Sequence, residues 1–105
     1  MTMAYGVVHL DGSSDPNLPT SSLESLYDEL SYADGEHNDV AVIDDDTGWC
    51  IIAYPSRFVI FQCLADDTTF HMSDVDKLQV IKMWIQLSQG DIDGIRSLPW
   101  KSGAK

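Results

Sequence analysis

The side chains best placed to do chemistry in this chain are its carboxylates. Asp44, Asp45 and Asp46 stand side by side before Thr47 and Gly48, and Asp66 and Asp67 form a second pair. Neighbouring carboxylates suggest a hard cation such as calcium. The EF-hand loop, however, spaces its oxygen ligands and needs a Gly at its sharp bend, where this chain has Trp49. No metal and no cofactor are therefore expected. His9, His37 and His71 are isolated from one another. The chain has no nucleophile elbow, no Gly-rich phosphate loop and no His-Glu helix motif, so no catalytic residues and no enzyme are expected. Cys50 and Cys63 lack the C-x-x-C spacing of a redox or zinc pair and read as small buried hydrophobes. A hairpin turning at Ser56-Arg57 sets the two opposite each other, whereas a register slip of one residue sends them to opposite faces.

Charge narrows the partners. With 17 acidic against 6 basic residues the formal net charge is -11, which argues against a surface for phosphates or nucleic acid. The natural partner of such a surface is cationic, although acidity also keeps a small protein in solution. The opening residues lack the basic and apolar regions of a secretory signal, and no apolar run approaches membrane-spanning length. A cytoplasmic protein with reduced thiols and no membrane contact is the expectation.

These side chains must be held by a fold, and the stretch from Asp39 to Met72 supplies it. Asp39–Ile43, Trp49–Tyr54, Phe58–Leu64 and Thr69–Met72 are rich in β-branched and aromatic residues and bounded by turn formers. Trp49, Ile51 and Ala53 alternate with Cys50, Ile52 and Tyr54, and both sets are largely apolar; Phe58 and Ile60 alternate likewise with Val59, Phe61 and Cys63. Such strands need cover on both faces. Helices can cover one; the other requires a partner surface, a second copy of the chain, or folded-back termini. The turns at Asp44–Gly48 and Asp66-Asp67 give the meander acidic tips, and tips at opposite ends need not form one patch.

Around this meander, Ala4 to Leu10 is expected as a first strand of unknown partner. An amphipathic helix is expected over residues 21–33, capped by Ser21 and ended near Gly35. A core helix follows over 74–89, opened by Ser73-Asp74, apolar at Val75, Leu78, Ile81, Trp84, Ile85 and Leu87 and stopped by Gly90. Asp91–Leu98 is expected as a final short turn or helix before Pro99-Trp100. The fold class is α+β, an antiparallel meander of four to five strands with two main helices and a short C-terminal helix. The 105 residues make a single domain, its core running from about residue 4 to 100, with 101–105 a frayed tail.

The order of Gly35-Glu-His-Asn-Asp-Val40 entering a strand, Gly48-Trp49 after an acidic turn, Phe58-Val-Ile-Phe61, Met83-Trp84 on a helix, Gly90-Asp91 and Leu98-Pro-Trp100 resembles small acidic immunity proteins. These are encoded beside polymorphic toxins in bacteria, including type VI secretion and Rhs-type effectors. The resemblance spans residues 20 to 100 and implies a non-catalytic binder that occludes a cognate toxin. Many such toxins have basic clefts, which an acidic inhibitor can meet by imitating a phosphate backbone. The partner-binding candidates are Glu36 and Asp39, the tip carboxylates Asp44, Asp45, Asp46, Asp66 and Asp67, and the aromatic Tyr54 and Phe58. The competing expectation is a homodimeric structural or regulatory module built on the doubly apolar hairpin from Trp49 to Leu64.

Overall fold

Runs of period-two hydrophobicity become strands where neighbouring strands can satisfy their backbone groups. The structure, a computed structural model, describes residues 5–16, 18–36 and 38–102. Its strands are β1 (Tyr5–Val8), β2 (Ser14–Asp15), β3 (Val40–Asp44), β4 (Trp49–Ala53), β5 (Val59–Cys63), β6 (Thr69–Met72) and β7 (Lys101–Ser102). They form one seven-stranded antiparallel sheet in the order β2-β1-β3-β4-β5-β6-β7. The α+β class is as expected, and the additional strands are the two-residue edges β2 and β7, too short to leave a periodic signal. β1 finds its partner in β3, pairing Val7 with Val42. Lys101 and Ser102, expected in a frayed tail, pair instead with His71 and Phe70. Trp100 holds them there, its indole N–H donating to the Ile95 carbonyl at 2.7 Å and its ring stacking on Phe61 at 5.3 Å. Residues 103–105 and Ala4 lie outside the described residues.

The helices are α1 (Leu23–Asp28), α2 (Lys77–Ser88) and α3 (Ile92–Arg96). α1 is flanked by 3₁₀ turns at Thr20–Ser22 and Glu29–Tyr32, so its helical span nearly equals the expected one, but Ser21 does not cap it. Nor does Gly35 end it in the left-handed region; the last turn closes with the Ala33 amide on the Leu30 carbonyl at 3.1 Å. α2 begins later than Ser73-Asp74, because the segment before it is committed elsewhere. The Val75 amide donates to the Arg57 carbonyl at 3.0 Å and Asp74 has φ 58°, leaving Asp76 to cap the helix by accepting from the Gln79 amide at 2.8 Å. Gly90, at φ 76°, ends it as expected.

The core lies between these helices and one face of the sheet. Val7, Val40, Val42, Ile51, Ala53, Val59 and Phe61 pack there against Leu23, Leu26, Leu30, Val80, Met83, Trp84, Leu87 and Ile95. The buried stripe of α2 is therefore Val80, Met83, Trp84 and Leu87, while Leu78, expected inside, is 76% exposed. The residues that alternate with the sheet's core set, among them Val8, Ile43, Ile52 and Ile60, lie on the second face, and none of them belongs to the core cluster.

Candidate functional site

Successive turns of a meander fall at alternate ends, so the β3–β4 and β5–β6 turns share one end of the sheet. The Leu64 amide donates to the Gly48 carbonyl at 2.8 Å and joins the two. Gly48 suits this position: its φ is 80°, in the left-handed region that strains a residue with a Cβ. Asp45, Asp46, Asp66 and Asp67, all exposed, thus form one acidic end. Counting turns along the sequence is the signal that would have brought the tips together.

Asp44 does not belong to that surface. It is 1% exposed, and its carboxylate accepts from the Asp46 amide at 3.1 Å and the Thr47 hydroxyl at 2.8 Å, while its carbonyl takes the Gly48 amide at 2.8 Å. Asp44, expected among the partner-binding tip carboxylates, is instead buried in its turn: a short Asp at a strand end satisfies the turn's own donors. Asp66 serves the other turn similarly, accepting from the Thr68 amide at 2.9 Å. Its carboxyl is held below the usual range by the Thr68 hydroxyl and amide, with the Arg96 guanidinium adding to the effect. Arg96 also lies 5.6 Å over the Trp49 ring.

The remaining candidates lie toward the other end. Tyr54 and Phe58 flank the β4–β5 turn with their rings 5.8 Å apart, and Phe58 is 5.6 Å from the His71 ring. Both are half-buried on the side of the second face. Burial raises the Tyr54 phenol pKa, and the Asp39 carboxylate and Cys50 raise it further. Asp39 is half-buried and Glu36 exposed, in the loop leading into β3. The expected surface residues thus fall into two groups separated by the length of the strands, with the apolar second face between them.

Register decides the cysteines. Trp49 pairs with Cys63 and Cys50 with Gln62, so the two thiols are free, buried and on opposite faces of the sheet. Burial pushes the Cys50 thiol up to about 11. His9 is used structurally: its Nδ1 lies 2.7 Å from Glu29 Oε2, and Glu29 also accepts the Leu10 amide at 2.9 Å, tying the end of β1 to the turn after α1. His37 lies outside the described residues. Among the described residues no group of three or more His, Cys, Asp or Glu could hold a metal ion, and no helix is long and apolar enough to cross a membrane. Comparison with known family models, curated proteins and solved structures returns no match.

Proposed function

We propose that this chain is a non-catalytic immunity protein, acting in the bacterial cytoplasm to bind and occlude a cognate toxin with a basic surface. The observation that supports this reading is the acidic end, where one backbone hydrogen bond between two turns gathers Asp45, Asp46, Asp66 and Asp67 on a protein of net charge -11. Carboxylates gathered on hydrogen-bonded hairpin turns project a field that steers a cationic partner into encounter, and they compete for the cations that would otherwise meet a phosphate backbone. The test is neutralisation. Co-expression with the toxin encoded beside this chain should restore growth, and an active toxin despite saturating amounts of the chain would remove the reading.

A further inference from the structure

All three helices pack on the core face of the sheet, and among the described residues the second face carries a cross-strand row of Val8, Ala41, Ile52 and Ile60, with Ile43 beside it, that ends at the β7 edge in His71 and Lys101. Val8, Ile43, Ile52 and Ile60 are half-buried and Ala41 is buried. We infer that this face is where the partner docks, and that the partner is a basic protein surface with an apolar centre. The inference depends on the inhibitor reading and assigns the contact that the acidic end alone does not provide.

Three observations favour that occupant. The face is bounded by carboxylates at both ends: Asp45 lines a cleft of about 350 Å³ with Val8, Ile43 and Pro16, and at the opposite end Asp39 precedes Val40, whose partner Ala53 is followed by Tyr54. The edges of the sheet are two-residue strands, which offer little backbone for strand addition, so the face is the larger surface. Size then discriminates between occupants. The four strands that carry these apolar residues, spaced about 4.8 Å apart and about 16 Å long, present roughly 300 Å², while a stable interface takes about 800 Å² from each partner. The apolar residues supply well under half of this, so the flanking carboxylates must also be covered. A second copy would set acidic rim against acidic rim on chains of net charge -11 each; a partner with cations around an apolar centre completes the area without that repulsion.

The inference is tested with the purified product of the toxin gene adjacent to this chain's gene, binding the full-length chain, the variants Ile52→Lys and Ile60→Thr, and Leu78→Lys as a control on the exposed side of α2. Ile60→Thr keeps a β-branched residue, so folding survives in at least one face variant, which thermal unfolding verifies. The expected result is at least about tenfold weaker binding by folded face variants, mainly through faster dissociation, with the control unchanged. Parent-like binding by folded face variants overturns the docking face and leaves the inhibitor reading standing. A parent chain that sediments as a dimer, dissociated by Ile52→Lys, overturns it in favour of a second copy. A parent chain that does not bind the toxin overturns both.

Discussion

The indole N–H of Trp84 donates to the Ile51 carbonyl at 3.1 Å, fastening the middle of α2 to the central strand β4. Trp84 is fully buried, and Tyr27 from α1 meets it edge-on with ring centroids 6.2 Å apart. One side chain therefore joins both main helices to the sheet. Trp84→Ala should cost about 3–5 kcal/mol through the cavity and the lost bond, and Trp84→Phe, which keeps much of the ring but not the donor, should fall between it and the parent. Denaturant unfolding measures both; a change under about 1 kcal/mol for Trp84→Ala is what a surface site would give.

Asp44 and Asp45 are neighbours in sequence with opposite duties. Asp44→Ala removes the acceptor for the Asp46 amide and the Thr47 hydroxyl and should cost about 1–2 kcal/mol. Asp45→Ala, at an exposed site, should stay within about 0.5 kcal/mol. Equal effects in equilibrium unfolding would mean that the turn does not depend on the Asp44 carboxylate.

The Cys50 thiol should make stability fall at alkaline pH. Its pKa is raised from 9.0 to about 11 in the folded chain, so the native state retains a proton that the unfolded chain gives up. The associated stability is fully present below about pH 9 and is lost as pH rises toward 11. Cys50→Ala should flatten that part of the curve of unfolding midpoint against pH. Alkylation of Cys50 should also be slow until the chain unfolds, since the thiolate is the reactive form.

Charge reversal at the acidic end should act on association. Asp45→Lys combined with Asp46→Lys, both at exposed sites, should slow binding of the proposed toxin partner at low salt, and the deficit should shrink as ionic strength brings the Debye length to about 8–10 Å. Stopped-flow association at two salt concentrations checks this. Rates equal to the parent's at low salt would take this end out of the encounter.

Much of the fold was legible in local sequence. Period-two runs located β3 to β6 to within a residue or two at each end, and β6 at Thr69–Met72 was placed without error. Helical spacing located α2 and the burial of Trp84, while Gly90 marked the end of that helix. These features depend on residues close in the chain, whose propensities and periodicities can be read without any tertiary contact. Tertiary structure decided the rest. With both faces of β4 and β5 apolar, alternation could separate Ile51 from Ile52 but could not say which the helices would cover; packing of Val80, Met83, Trp84 and Leu87 chose the Ile51 face. The register placing Cys50 opposite Gln62, the burial of Asp44, and the pairing of β7 with β6 likewise arise from hydrogen bonds and contacts between distant segments. The side chains that make the acidic end are plain in the sequence. Their meeting depends on strand count between turns and on one bond from Leu64 to Gly48, because only a closed ladder of antiparallel strands fixes which tips are neighbours.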